Sequence, residues 1–190
     1  MNNGFVVRPI VSEKELHQAV KLAVDTRIDP EQGGLITYEP PSTIEHRHAT
    51  GFRAISRLER GRLLGLFQKE TGELAGVAAL VPLNTFDNYE PFSREPYRIL
   101  TTRIGEKPPV EKIATIVGTS VAKKFEGKKG ATLLLTNLEE WARNHFDHLI
   151  FDTCNKKIET FGKKHGYSYL GEYVDGMPWQ VYHKDLRQAK

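Results

Sequence analysis

The sequence predicts a single α/β (α+β) domain over residues 1–190, and three observations carry the prediction. Apolar periodicity and turn punctuation give the order strand-helix-helix-strand-strand, then strand-helix-strand-helix-strand, with one more strand at the end. Between Lys112 and Ala142 a β-rich apolar run passes through a glycine-containing loop into an apolar-periodic helix. A chain of 190 residues with 39% hydrophobic and 27% charged residues is long enough to bury one substantial core.

Phe5 to Ile10 reads as the first strand. Ser12 and Glu15 form an S-x-x-E capping box, which opens a helix to about Val24 with Leu16, Val20 and Ala23 or Val24 inward. Asp29-Pro30, Gly33-Gly34 and Pro40-Pro41 mark a loop. Ser42 and Glu45 read as a second capping box, opening a helix to about Arg60 with Ile44, His48, Ile55 and Leu58 on its buried side. Leu63 to Gln68 and Leu74 to Val81 flank K-E-T-G-E, a hairpin signal with Gly72 in the turn. Residues 84–110 form a long proline- and aromatic-containing connection between strands, either an acceptor-binding lid or a decorated surface loop. Tyr167 to Tyr173 and Met177 to His183 are the last strands, turned by Asp175-Gly176, and 184–190 reads as a frayed tail.

The stretch around residues 112–142 carries the chemistry. Ile113 to Val121 is a strand interrupted by Gly118, and Lys123 to Gly130 is a polar loop. The helix after it carries Leu134, Leu135, Leu138, Trp141 and Ala142. A strand, a glycine-containing loop and a helix N-terminus bring free backbone N–H groups and a positive dipole end to one point. Lys123, Lys124, Lys128 and Lys129 add charge, so the point suits a phosphate or pyrophosphate. Neither G-x-x-x-x-G-K-[ST] nor G-x-G-x-x-G is present, which argues against a Walker-type loop and a dinucleotide fingerprint.

The stretch resembles the acetyl-coenzyme A loop of the GNAT N-acetyltransferase superfamily. In that family a strand ending in Val is followed five residues later by [RQ]-x-x-G-x-[GA] leading into a helix. Here Val121 holds the Val position and Glu126, Gly127, Lys128, Lys129, Gly130 and Ala131 form the window. The spacing, Gly127 and the final Ala131 match, whereas Glu126 replaces Arg or Gln and Lys129 replaces the middle Gly. Glu126 is therefore expected to point outward, and Gly130 to absorb a positive φ that Lys129 takes less easily. Downstream, Asn155, Phe161, Gly166 and Tyr167 match the family's N-x-x-A-x-x-F-Y-x-x-x-G-[FY] helix, with Ile158 for the Ala.

The resemblance covers roughly residues 63–183. It implies a mixed, mostly antiparallel sheet of about six to seven strands, about four flanking helices and a splay between the fourth and fifth strands. It implies acetyl-coenzyme A or another acyl-coenzyme A as co-substrate. Val117, Gly118, Thr119, Ser120 and Val121 would contact the pantetheine arm, residues 126–131 with Thr132 the pyrophosphate, and Asn155 and Phe161 the far side. The family's thiolate-protonating Tyr is Gly162 here. Tyr167 or Tyr169 could replace it, or the thiolate leaves unaided. Glu111 is the first candidate for general base, ahead of Asp87 and Glu90; a solvated charge is the plainer reading of Glu111. Cys154 carries no feature that would activate it as a nucleophile.

The reading that follows is an N-acyltransferase acting on a primary amine of a small molecule or protein. The alternative is an acyl-coenzyme A sensor of the same fold with weak catalysis, favoured by Gly162 and the altered loop. A third reading, a nucleic-acid or acidic-partner binder using the lysines (a second cluster lies at Lys156, Lys157, Lys163 and Lys164), lacks any recognised motif, and a net charge of +3 is too small to argue for it. The seven histidines form no zinc framework, so no metal is expected. No apolar run is long enough to span a membrane and no signal peptide is visible. One cysteine suits a reducing interior, so the expected location is cytoplasmic. Such domains often pair with a second copy, and the edge strands here favour neither a monomer nor a homodimer.

Overall fold

The computed structural model describes residues 4–28, 41–86, 90–153, 156–175 and 177–187. Seven strands join in one mixed sheet in the order β1-β2-β3-β4-β5-β7-β6. They are β1 (Phe5–Pro9), β2 (Arg62–Gln68), β3 (Leu74–Pro82), β4 (Ile113–Val121), β5 (His148–Thr153), β6 (Ser168–Asp175) and β7 (Met177–Asp185). The helices are α1 (Glu13–Ile28), α2 (Pro41–Arg57), α3 (Glu90–Ile104), α4 (Gly130–Arg143) and α5 (Lys156–Lys164). Strands β4 and β5 run parallel through Ile113↔His148, Ala114↔Leu149 and Thr115↔Ile150. Beyond Ile150, strand β5 pairs with β7 alone among the registered strands, which is the splay expected between the fourth and fifth strands.

The chain divides into two compact units, Met1–Leu80 with Val117–Glu139 and Val81–Ile116 with Glu140–Lys190. In the first unit the capping box at α1 forms as expected. The Glu15 amide donates to Ser12 Oγ at 3.2 Å, and the Ser12 amide donates back to Glu15 Oε2 at 3.3 Å. Arg8 adds an ion pair of 2.6 Å, the main reason that the Glu15 carboxyl is pulled down to about 2. Leu16, Ala19, Val20 and Ala23 make the buried stripe of α1 at helical spacing. Helix α2 begins one residue earlier than expected, with Pro41 in its first turn, so Ser42 is inside the helix rather than its cap. It buries Ile44, Phe52 and Ile55; Phe52 is an addition to the expected core residues. The β2–β3 hairpin turns at Gly72, which takes φ +68°.

The second unit contains the main departure. The 84–110 connection is not an irregular loop: it holds α3, fifteen residues long, with Pro96 inside it. Proline normally argues against a helix interior, but tertiary burial outweighs it here. Ile99 and Leu100 pack into a core with Leu83, Ile113, Ile150, Leu170, Tyr173 and Val181. Gly105, at φ +71°, ends the helix, and its amide donates to the Thr101 carbonyl. The expected tail is also tied down as far as Arg187. Strand β7 runs to Asp185, Leu186 is fully buried, and its amide donates to the Asp147 carbonyl at 2.9 Å.

Candidate functional site

In the first unit, β4 runs into a short 3-10 turn at Lys123–Phe125 before α4. Phe125 is buried and meets the Phe5 ring edge-on at 5.6 Å, which anchors the loop's root. The first helical hydrogen bond of α4 runs from the Leu133 amide to the Lys129 carbonyl. The amides of Gly130, Ala131 and Thr132 therefore have no acceptor within the helix and point forward with its positive end. Lys123, Lys124, Lys128 and Lys129 are all exposed around this end, and Glu126 is exposed as expected. Lys124 is held by Glu73 at 2.5 Å, so part of its charge is already matched.

The torsions at the loop correct one expectation. Lys129, not Gly130, takes the left-handed conformation, with φ +61°. A non-glycine residue there costs roughly 1–2 kcal/mol, which the surrounding loop must hold. Gly130 serves packing instead: a Cβ on it would lie 2.5 Å from Leu66 Cδ2. Along β4, Gly118 takes φ +62°, and a Cβ there would come within 3.0 Å of the Phe52 ring. Val117, Thr119 and Val121 are half-buried, while Ser120 is buried. Forward amides on a helix of fourteen residues, with lysines around them, form a donor set that fits a pyrophosphate.

In the second unit, the two faces of β5 differ. On one face Phe151 stacks on Tyr182 with centroids 5.1 Å apart, and Tyr167 meets Phe151 at 5.0 Å. Gly162 on α5 sits against these rings. A Cβ at this position would lie 2.7 Å from Phe151 Cζ and 3.3 Å from Tyr182 Cδ1. The Tyr182 ring thus packs where a side chain at position 162 would start, and its hydroxyl donates to Gln180 Oε1 at 3.0 Å. Phe161 is buried and stacked on His165 at 4.1 Å. Tyr169 is half-exposed.

On the other face, under α3, two polar pairs flank the apolar core. At the amino end of β5, His148 Nδ1 lies 3.1 Å from His183 Nε2. Glu106, Asp185 and Arg187 close over this pair, with Arg187 3.0 Å from Glu106 and 2.7 Å from Asp185. Burial lowers both imidazoles, His183 to about 4; neighbouring His148 lowers His183 further, and Arg187 lowers His148. At the carboxyl end, the Tyr173 hydroxyl donates to the Asp152 carboxylate. Burial pushes the Asp152 carboxyl up, and that hydrogen bond opposes the shift.

The profile of the acetyltransferase (GNAT) family matches residues 35–167. The chain belongs to the GNAT acetyltransferase family. No curated protein matches it, but solved structures share its fold along nearly the whole length. An N-acetyltransferase from Staphylococcus aureus is 16% identical, with a TM-score of 0.68 over 96% of this chain and 98% of that one. An acetyltransferase from Streptococcus agalactiae is 12% identical, with a TM-score of 0.66 over 96% and 98%. An N-acyl amino acid synthase from uncultured soil microbes is 19% identical, with a TM-score of 0.63 over 97% and 92%.

Within the GNAT frame, the loop residues come together at one helix N-terminus as the spacing implies. Glu111 lies exposed on a 3-10 turn just before β4. Asp87, Cys154 and Asn155 lie outside the described residues, as does the Glu90 side chain. Among the described residues, no three His, Cys, Asp or Glu side chains are placed to hold a metal ion, and no helix is long and apolar enough to cross a membrane. A groove of about 400 Å³ between α1 and α2, lined by Glu13, His17, Glu45 and Arg53, contains none of the candidate catalytic or coenzyme-binding residues read from the sequence. Sequence reasoning does not single out Asp152. Its signal is present in H-L-I-F-D-T, an ionisable residue inside an otherwise apolar strand.

Proposed function

We propose that this GNAT protein transfers an acetyl or longer acyl group from acyl-coenzyme A to a primary amine. The observation that carries the reading is the N-terminus of α4, where three forward amides and exposed lysines form a pyrophosphate seat. Direct transfer needs the donor's thioester held beside a deprotonated amine and an exit for the thiolate. Backbone groups of β4, opened by the left-handed turn at Gly118, are suited to holding an extended arm. One structural neighbour is an N-acyl amino acid synthase, so donors longer than acetyl belong in the test.

The test is calorimetric titration with acetyl-coenzyme A and a longer acyl homologue, followed by thiol release with added amines. Ala131→Asp is the informative variant. A carboxylate in the first turn of α4 suits the helix dipole and preserves folding, yet repels a pyrophosphate. Loss of at least tenfold in donor affinity with an unchanged melting temperature is expected. Equal affinity in the two proteins would remove the loop from the donor site.

A second reading, an acyl-coenzyme A sensor without turnover, is favoured by Gly162, whose neighbourhood is filled by Phe151 and Tyr182. It predicts donor binding with no thiol release for any amine.

A further inference from the structure

We infer that, with the donor seated as proposed above, Phe52 sets the length of the acyl group and closes the site to chains longer than a short acyl such as acetyl or propionyl. Phe52, β4 from Val117 onward and the first turns of α4 all belong to the first unit.

An arm that enters from the N-terminus of α4 passes Val121 first. It reaches Gly118 three residues back along β4, about 10 Å further on. The strand changes character there. Gly118 takes φ +62°, and a glycine inside a strand often marks a close approach by another group. The approaching group is the Phe52 ring: a Cβ at position 118 would lie 3.0 Å from its Cε1 and 3.2 Å from its Cζ. The ring edge therefore rests on the glycine backbone. Phe52 is also held in place. It is 2% exposed, Ile44 and Ile55 are buried on the same helix, and the His48 ring lies 5.4 Å from it at 49°.

The contact has a direct consequence for the acyl group. Acetyl carries a single methyl beyond the thioester carbonyl and asks for little room. Each further methylene over Gly118 needs volume that the ring already fills, and displacing a packed side chain is unfavourable. A chain that turns to solvent instead gives up the burial by which longer acyl groups normally bind more tightly. On either route extra carbons gain nothing. Positive φ and the closeness of the ring together require glycine at position 118, so a packing contact of the core also fixes donor choice.

The experiment titrates coenzyme A and its acetyl, butyryl and octanoyl thioesters into wild type, Phe52→Leu, Phe52→Ala and Ile55→Ala, with a melting temperature for each protein. Ile55, buried on the same helix, is the control for a general loss of core packing. Wild type should bind the acetyl thioester about tenfold more tightly than the octanoyl thioester. Phe52→Ala should raise the octanoyl-to-acetyl affinity ratio by at least about tenfold, as buried methylenes begin to count. Phe52→Leu should raise it by less, and Ile55→Ala should leave it at the wild-type value. A ratio within one protein is not moved by lower stability, and Phe52→Leu decides the matter where Phe52→Ala does not fold. Wild type that binds the two thioesters equally, a ratio that neither Phe52 variant moves, or one that Ile55→Ala moves as far, overturns the assignment and leaves the donor site standing. Folded wild type that binds neither coenzyme A nor any thioester overturns the proposed function, and the assignment with it.

Discussion

The two polar pairs under α3 sit on the same face of the same strand, yet they do opposite things. His148 and His183 at the amino end of β5 satisfy each other and are closed over by Glu106, Asp185 and Arg187. Asp152 at the carboxyl end has a tyrosine hydroxyl but no cation among the described residues. Burial drives each group toward its neutral form, so the histidines titrate lower and the carboxyl higher than usual. The difference is one of completion. The histidine pair is matched and capped within the core, whereas the Tyr173 hydroxyl fills only part of the acceptor capacity of the Asp152 carboxylate.

Acid titration probes this contrast with the largest expected effect. His183 has a pKa of about 4 in the fold against 6.5 outside it. The unfolded chain binds the extra proton first, so the pair's contribution is intact above pH 6.5 and is lost as pH falls toward 4. The loss is on the order of 2–3 kcal/mol and should appear in urea midpoints measured across that window. Asp152 has the opposite sign. Its folded pKa is raised, so acidification favours its buried neutral form, and Asp152→Asn should match or exceed wild-type stability at about pH 7. A clear destabilisation by Asp152→Asn would mean that the carboxylate is structural after all.

Mutating the histidines sharpens the comparison further. His183→Leu leaves His148 Nδ1 buried without its partner and should cost about 2 kcal/mol. The double change His148→Leu with His183→Leu removes both polar groups, should recover most of that loss and should flatten the acid dependence. A double variant that is no more stable than His183→Leu would show that the rings pack independently.

The smallest effect lies in the other unit. Lys129→Gly relieves a left-handed lysine and should raise stability by about 1 kcal/mol in thermal unfolding. Donor binding should weaken at the same time, because the change leaves the amide in place but removes one of the lysine charges around the helix end. A stability loss would show that the lysine side chain contributes more than its torsion costs.

Much of this architecture is legible in the chain. The β2–β3 hairpin, the α1 capping box, the bounds of β4 and the convergence of residues 126–132 on a helix N-terminus all appear where the sequence puts them. Each depends on neighbours in sequence: an alternation, a cap three residues away, a glycine at a turn. Helix α3 is not legible in this way, because its prolines speak locally against a helix, while Ile99 and Leu100 speak for it only once the core is present. Propensity favours Gly130 for the left-handed turn, but packing against Leu66 holds that glycine and the turn falls to Lys129.

By itself, then, the sequence determined the order of the elements other than α3, the family resemblance and the strand-loop-helix spacing around residues 121–131, because these are patterns of adjacent residues. Tertiary structure alone decided which ionisable groups are buried and what each one meets. The Asp152 and Tyr173 partners are 21 residues apart in the chain and His148 and His183 are 35 apart. Only sheet pairing brings such groups together, and the pKa of a side chain is set by the partners and solvent that the fold places around it.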